Sequence, residues 1–178
     1  MNGIYSKKGD NMETELFGGQ KIFKSSQRIE TYGTMDELNS ILGVVASDLK
    51  HNDIKDEILE IQNHLHIICA EIANPDEKKE GIVKEDYVTY LEKLCDKHTQ
   101  ELEPLKKFIL PGGTAAGATL HFARTVARRA EREIVRLSTM STVNPEILKY
   151  INRLADLLFI FSRLVNKREG KPETSPKY

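Results

Sequence analysis

The stretch TLHFARTVARRAEREIVRL, residues 119–137, carries a four-residue period that predicts a helix. Four arginines stand on this period, Arg124, Arg128, Arg132 and Arg136, and on a helix they form one row of positive charge. Like charges at this spacing repel by roughly 0.2–0.5 kcal/mol per pair. The row therefore predicts that anions, either carboxylates or phosphates, are supplied from elsewhere.

The acids nearest in sequence meet only part of this demand. Glu133 can pair with Arg129 at i+4, and Glu131 lies on a neighbouring face of the helix. A solvated basic face, or an ion-pair network with acids of another helix, accounts for the row as well as an anion-binding site does. The rest of the sequence has to decide between these interpretations.

Apolar residues at helical spacing predict four further helices around the arginine helix. Thr34 and Glu37 form a capping box that starts the first helix, and Asn144 with Pro145 starts the last one. The predicted helices cover residues 34–49, 53–73, 84–102, 115–139 and a final stretch from 145 onward. This pattern predicts an all-α fold, an up-and-down bundle of five helices in which four long helices form the core.

The segments outside the helices are polar. Residues 1–30 show no sustained strand or helix period and are expected to form a loop, and residues 168–178 are expected to be a disordered tail. The length of 178 residues suits a single domain spanning residues 1–178.

Composition narrows the class of protein. The 26 basic and 27 acidic residues nearly cancel, so no global charge favours nucleic acid or a membrane surface as a partner. Cys69 and Cys95 lie in apolar helical patterns, as expected of buried thiols in a reducing compartment. The first ten residues lack the hydrophobic core of a secretory signal, and no apolar run is long enough to span a bilayer. A cytoplasmic location is expected.

The sequence offers neither a metal cluster nor a protein nucleophile. His64 and His66 are two residues apart and diverge on a helix, and Glu60 with His64 is best explained as a surface hydrogen bond. No protein metal ligand is therefore predicted. Since no cysteine or serine stands in a setting that would activate it, an enzyme of this sequence would use a nucleophile brought by its ligand.

A second set of anion-binding residues lies near the N-terminus. Ammonium groups, hydroxyls and a glycine are combined there in Ser6, Lys7, Lys8, Gly9 and Thr14, with Lys24 as an extension. A flexible, solvated N-terminus would explain the same residues. Asp10 could hold a hydrated magnesium ion or a backbone amide.

Six segments taken together carry a resemblance to a known family. They are IYSKKGD with Thr14, FGGQKIFK, RIETYGTMDELNSILG, FILPGG, LHFARTVARRAERE and NRLADLLFIFSR, in collinear order over residues 4–166. This sequence resembles the PduO-type ATP:cob(I)alamin (corrinoid) adenosyltransferases. The resemblance implies a homotrimer of helical bundles that binds ATP with Mg²⁺ and a corrinoid at subunit interfaces. It also implies transfer of the 5′-deoxyadenosyl group to cobalt with release of triphosphate, and a reductase that supplies the electron for Co(I).

The resemblance also implies the residues of the site. The nucleotide loop falls on Ser6, Lys7, Lys8, Gly9 and Thr14, with Lys24 as a further phosphate ligand. The second half of the ATP site falls on Arg128, Arg129, Glu131, Arg132 and Asn152, and the loop of one subunit meets the arginine helix of another. Arg128 and Arg132 are the expected catalytic arginines.

Three further positions complete the expected site. By the resemblance, Asp36 pairs with Arg128 of a neighbouring subunit, although an acid in the first turn of a helix is also favoured by the helix dipole. Phe108 corresponds to an aromatic residue that displaces the lower ligand of cobalamin and so eases reduction to Co(I), although a phenylalanine before a loop can equally be a core residue. Asp156 is expected at the corrinoid, with Arg153 or an arginine of the fourth helix as its alternative partner.

The sequence departs from the family pattern in the nucleotide loop. The Asp-Gly that usually follows the first Gly-Asp is Asn11-Met12, and Ser6 replaces the commoner threonine while keeping the hydroxyl. Met12 puts a side chain where a positive φ would favour glycine. Two other functions stay open at this point: a non-catalytic ATP and cobalamin sensor or carrier, and a structural bundle whose arginine row pairs with acids across an oligomer interface.

Overall fold

A computed structural model describes residues 9–16, 19–74 and 81–177. Within these residues the chain forms five α-helices and one small antiparallel hairpin. The helices are α1 (Gln27–Asp48), α2 (Asn52–Ala73), α3 (Glu85–Thr99), α4 (Ala115–Ser138) and α5 (Pro145–Arg168), and the strands are β1 (Glu13–Glu15) and β2 (Lys21–Phe23). The predicted all-α bundle of five helices is confirmed.

The arginine helix lies at the centre of the bundle. α4 packs against both α1 and α5, while α2 covers α1 and α3 covers α5. The apolar stripes of the helices meet in one continuous core, with fully buried residues from each helix such as Leu38, Ile61, Leu91, Ala127 and Tyr150. Because the two sides of α4 that face α1 and α5 are buried, its arginines are confined to the remaining surface.

The first helix begins earlier than the sequence predicted. It starts at Gln27, where the hydroxyl oxygen of Ser26 accepts a hydrogen bond from the backbone N–H of Ile29. The capping box at Thr34 was therefore wrong: Thr34 is buried within the helix, and its hydroxyl donates to the carbonyl of Glu30, at 2.9 Å. This back-bonding satisfies a buried threonine inside a helix without a cap.

The N-terminal segment is not entirely a loop. Thr14 in β1 pairs with Ile22 in β2, and Gly19 in the connection has a φ of +87°, which favours glycine. Strands of three residues are too short to show an alternating pattern in the sequence. The hairpin continues past its strands with a hydrogen bond from Lys24 N–H to the Met12 carbonyl, at 2.9 Å.

The two ends of the last helix differ in how the sequence encodes them. Asn144 caps α5 as predicted, since its side-chain oxygen accepts the N–H of Glu146, at 3.0 Å. After α5, where disorder is expected from the sequence, Glu173 pairs with Arg163 at 2.5 Å, and the Thr174 carbonyl accepts the N–H of Leu110 at 2.7 Å.

None of the helices described is both long and apolar enough to cross a membrane.

We expect the stability of the bundle to fall in acid through Glu57. Burial alone would raise the pKa of Glu57, but hydrogen bonds from buried His98, at 2.6 Å, and from Lys97, at 2.7 Å, outweigh it and hold that pKa below its ordinary value. A carboxylate with a lowered pKa stabilises the fold above its unfolded-state pKa, about 4.3, and loses this contribution as the pH falls through the folded-state value.

Glu57→Gln should therefore destabilise the protein by about 1.5–3 kcal/mol near pH 7. The difference from wild type should shrink below about pH 4. Thermal unfolding at several pH values measures both effects. Glu60→Gln is the control, because Glu60 contacts His64 at 3.2 Å from an exposed position and should change stability little. An equal loss for Glu57→Gln at pH 7 and pH 3 would contradict the assignment.

Candidate functional site

A cleft of about 640 Å³ opens between α4, α5 and the loop that precedes α4. The residues that line it come from these three segments: Leu105, Lys106, Lys107, Phe108, Ile109, Arg124, Arg128, Ala155, Asp156 and Phe159. Three residues predicted for the site from sequence, Phe108, Arg128 and Asp156, thus lie around one cavity. The site is concave and combines apolar walls with several charges, as small-molecule sites usually do.

The walls of the cleft carry an excess of positive charge. Its lysines and arginines outnumber its single carboxylate, that of Asp156. Phe108, which lines the cleft, is 80% exposed, so it is not a core residue. Arg124 lies over the ring of Phe159, with its guanidinium carbon 5.8 Å from the ring centroid, and its buried Nε has no hydrogen-bond partner within the described part of the chain.

The arginine row divides into paired and unpaired members. Arg136 pairs with Glu133 at 2.7 Å, so its charge is met within α4. Arg132 donates to the backbone carbonyl of Arg128, at 2.9 Å, and both side chains are exposed with no carboxylate partner among residues 9–16, 19–74 and 81–177. Arg124 likewise has no carboxylate partner within the described residues and lies over the ring of Phe159, so the unmet demand for anions falls on Arg124, Arg128 and Arg132.

The other arginine of this segment is paired in an unexpected way. Arg129 forms an ion pair with Glu37 of α1, and the pair with Glu133 that the spacing allowed does not form. Glu133 is buried and instead accepts from Arg136 and from the side-chain amide of Gln27, at 2.8 Å. The sequence separation of Arg129 and Glu37 explains why this pair was not predicted, since a pair between helices leaves no trace in the spacing along one helix.

Two more predicted residues meet on neighbouring helices. The side-chain amide of Asn152 on α5 donates to Glu131 on α4, at 2.9 Å. Asp156, one turn further along α5, lines the cleft and also accepts from Arg153 at 3.1 Å. Arg153, one of the alternative partners expected for Asp156, is therefore present, and Asp156 lines the cleft as well.

The N-terminal candidates form a separate group on the hairpin. A Cβ built on Gly9 would lie 3.0 Å from Nζ of Lys24, so these two are neighbours, and Thr14 belongs to β1. Ser6, Lys7 and Lys8 lie outside the described residues. Among the described residues no hydrogen bond or ion pair connects Gly9, Thr14 or Lys24 to the arginine row.

Met12 has a positive φ angle, a conformation that favours glycine. Its φ is +64°, and its side chain is 75% exposed. A left-handed conformation costs a residue with a Cβ roughly 1–2 kcal/mol. The loop thus carries strain at a position that immediately precedes β1.

Asp36 is exposed on α1, and it has no ion-pair partner within the described part of the chain. It lies near enough to Cys69 to act on that thiol: burial, with a smaller contribution from the Asp36 charge, raises the pKa of Cys69 to about 12.

Cys69 and Cys95 are both free thiols. Neither is a nucleophile at neutral pH, because burial also raises the pKa of Cys95 to about 11.

Within the described residues, the potential metal ligands do not form a cluster. Across residues 9–16, 19–74 and 81–177 no group of three or more His, Cys, Asp or Glu side chains could hold a metal ion. His64 forms a hydrogen bond with the Tyr150 hydroxyl, at 3.2 Å, and also contacts Glu60. His121 is buried beside Ser162. Burial lowers the pKa values of both histidines.

Comparison with known proteins matches almost the whole chain. The family model described as cobalamin adenosyltransferase matches residues 4–165. This chain belongs to the cobalamin adenosyltransferase family. It is 42% identical to a corrinoid adenosyltransferase of Bacillus subtilis (strain 168), over 94% of this chain and 88% of the relative. It is 41% identical to a corrinoid adenosyltransferase of Citrobacter freundii, over 92% of this chain and 95% of the relative.

Solved structures of this family share the fold. A variant PduO-type ATP:corrinoid adenosyltransferase from Lactobacillus reuteri, complexed with cobalamin and ATP, is 38% identical and superposes with a TM-score of 0.94. The match covers 98% of this chain and 97% of that one. A second variant of the same enzyme, complexed with ATP, is 36% identical with a TM-score of 0.92, covering 98% of this chain and all of that one.

Several cleft residues of this cobalamin adenosyltransferase family member were missed from sequence. Arg124 was recognised as part of the charge row but not assigned to the site, and Lys106, Lys107 and Phe159 were not singled out. A signal for Phe159 does exist, because Asn152, Asp156 and Phe159 recur at helical spacing on one face of α5. The lysines carry no such signal, since they lie in a loop.

Proposed function

We propose that this chain transfers the 5′-deoxyadenosyl group of ATP to the cobalt of cob(I)alamin or a related corrinoid and releases triphosphate. The single observation that carries the proposal is the cleft in which exposed Phe108 and Arg128, which has no carboxylate partner within the described residues, line the same cavity. An apolar wall suits the face of a corrin ring, and guanidinium groups without carboxylate partners suit a polyphosphate.

The chemistry needs no nucleophile from the protein. Co(I) donates an electron pair to C5′ of ATP, a cobalt–carbon bond forms, and the bond from C5′ to the triphosphate oxygen breaks, so that triphosphate leaves with the electron pair of that bond. The protein orients the two substrates and stabilises the charge that accumulates on the leaving group. Arg128 and Arg132 are the groups of this chain that fit the second task, with Arg129, Glu131 and Asn152 beside them.

The ATP site is proposed to form between subunits of a homotrimer. The loop group, Gly9, Thr14 and Lys24 together with Ser6, Lys7 and Lys8, would bind the phosphates against the arginine row of a neighbouring subunit. Its support is the separation of the two basic groups within one chain. Asp36, which is exposed and has no ion-pair partner among the described residues, would pair with Arg128 of that neighbour.

Charge exchange tests this assembly. Asp36→Arg should weaken the trimer in sedimentation experiments, and combining it with Arg128→Asp should restore assembly if the two side chains meet across the interface. A double variant that assembles no better than Asp36→Arg alone would rule out this pair.

The remaining partners follow from the chemistry. Mg²⁺ is proposed to bind the triphosphate of ATP, where it would neutralise charge, because the described residues gather no cluster of metal ligands of their own. A reductase is proposed to supply the electron for Co(I), and a cytoplasmic location is proposed from the composition. Phe108 and Asp156 are the proposed corrinoid contacts.

The experiment that tests the function is an anaerobic assay with chemically reduced cob(I)alamin, ATP and Mg²⁺, followed by absorbance as the cobalt–carbon bond forms. Protein-dependent formation of adenosylcobalamin is the expected result. If the folded protein binds ATP and corrinoid but forms no product, it is a sensor or carrier and not an enzyme.

We expect Met12→Gly to improve ATP use. Glycine removes the cost of φ = +64°, about 1 kcal/mol, and should lower the KM for ATP by about fivefold if the loop must hold this conformation to bind ATP. Met12→Ala is the matched control, because it removes the long side chain but keeps the Cβ that causes the strain. Steady-state kinetics with ATP varied measure both. Equal KM values for Met12→Gly and Met12→Ala would show that backbone strain is not the cause.

A further inference from the structure

A single buried side chain, Asn166 in the last turn of α5, ties down the loop that follows Phe108. Its side-chain oxygen accepts the backbone N–H of Thr114, at 2.9 Å, and the Thr114 hydroxyl, at 3.1 Å. Its amide nitrogen donates to the backbone carbonyl of Gly112, at 2.8 Å. Asn166 is only 6% exposed, so its side chain has little contact with water. Its polar atoms are satisfied by these three hydrogen bonds within the protein.

Two glycines leave the space that the Asn166 amide occupies. A Cβ at Gly113 or at Gly117 would overlap with the side-chain atoms of Asn166. Gly113 also has a φ of +106°, whereas Gly117 lies in the first turn of α4 with no unusual backbone angle. Alanine is a better helix former than glycine, so the close approach of Asn166 is the reason that position 117 needs glycine.

Thr114 links this contact to the arginine helix. Its hydroxyl oxygen accepts the N–H of Gly117, at 3.0 Å, and so caps the N-terminus of α4. Asn166 therefore holds the end of the loop and the start of α4 in one hydrogen-bonded unit. A shift of this unit would move the backbone that leads to Phe108.

The loop is also attached at other points to the same end of the bundle. The N–H of Leu110 donates to the carbonyl of Thr174, and Arg163 of α5 donates to the carbonyl of Glu103, at 2.8 Å, while it pairs with Glu173. Leu110 is 49% exposed, and the side chain of Arg163 is 10% exposed. Asn166 differs from them because it is buried and contacts both ends of the glycine turn.

We propose that Asn166 is a positioning residue for the corrinoid half of the cleft: it holds the loop in the position that presents Phe108 to the cavity. The proposal rests on the proposed function, and it assigns to Asn166 an effect on corrinoid binding and turnover that acts through the loop. Asn166 itself does not line the cleft.

Asn166→Ala tests the proposal in the full-length protein. Loss of all three bonds should lower kcat/KM for cob(I)alamin by about fivefold or more, and the KM for ATP should stay within about twofold of wild type. Asn166→Asp should lower kcat/KM for cob(I)alamin at least as much as Asn166→Ala, because a carboxylate oxygen would face the carbonyl of Gly112, acceptor against acceptor, in a buried position. Ile58→Ala, a buried residue of α2, is the control for general loss of stability, which should not separate corrinoid from ATP.

A double-mutant cycle with Gly117→Ala gives a readout that a general loss of stability would not produce. Gly117→Ala alone should impair corrinoid kinetics because its Cβ displaces the Asn166 amide. In the Asn166→Ala background the same substitution should have no further cost. Independent, additive effects of the two substitutions would contradict the proposed contact.

The proposal and the proposed function can fail separately. If the wild type forms adenosylcobalamin and Asn166→Ala has wild-type kinetics, or loses ATP and corrinoid use equally and to the extent of Ile58→Ala, the positioning role is wrong. If the wild type binds cobalamin without turnover, an absorbance titration with cobalamin tests the positioning role. Asn166→Ala should then bind cobalamin about fivefold more weakly than the wild type. A wild type that binds no cobalamin would overturn both.

Discussion

Arg132→Ala should lower kcat/KM for ATP by about 10- to 150-fold, because a charged hydrogen bond to a phosphate contributes roughly 1.5–3 kcal/mol. Arg128→Ala should have an effect of the same order. Arg132 is exposed and lacks a carboxylate partner within the described residues, so its removal breaks no ion pair of the fold, whereas Arg128→Ala would also remove the proposed pair with Asp36 of a neighbouring subunit. The anaerobic assay with ATP varied at saturating cob(I)alamin measures the loss.

Arg136→Ala is the matched control for this result. Arg136 belongs to the same row, one turn beyond Arg132, but pairs with Glu133 within α4. It should leave the kinetics of adenosyl transfer within about twofold while changing stability slightly. If the row served only to join subunits, Arg132→Ala would abolish assembly instead. A folded, assembled Arg132→Ala variant with unchanged kinetics would show that the row is not the triphosphate site.

The sequence was sufficient for most of the fold because the helices are amphipathic. The bounds of α2 and α4 were predicted within one residue, since their apolar stripes run without interruption. The start of α1 was missed because its first turns combine polar residues with two buried threonines, Thr31 and Thr34, and Thr31 packs against α4. The Thr31 hydroxyl lies 3.2 Å from the carbonyl of Glu133, a contact that exists only after the two helices pack.

For the site, as for the fold, the sequence predicted features set by local spacing and missed contacts between distant segments. The charge row follows from spacing within one helix, and the cleft does bring Phe108, Arg128 and Asp156 together. Pairs between distant segments, such as Arg129 with Glu37 or Asn166 with Thr114, depend on how each helix is rotated about its axis. A helical period does not contain that rotation, so the sequence could not predict which acid meets which arginine.

Phe108→Ala should lower kcat/KM for cob(I)alamin by about 10- to 150-fold, with the KM for ATP nearly unchanged. Phe108 is 80% exposed in the free protein, and a large apolar side chain gains roughly 1.5–3 kcal/mol when it is fully buried. The substitution removes that gain from the corrinoid complex and leaves the bundle intact, because the ring contributes little to the core. The assay is the same, with cob(I)alamin varied at saturating ATP.

Phe122→Ala distinguishes this effect from a general loss of surface hydrophobicity. Phe122 is 54% exposed on α4 and does not line the cleft, so its removal should leave corrinoid kinetics within about twofold. Phe108→Leu should keep part of the activity, because an apolar side chain remains at the edge of the cavity and continues to exclude water. If Phe108→Ala and Phe122→Ala had equal kinetics, the cleft would not be the corrinoid site, and the activity would have to be sought at another surface of α4.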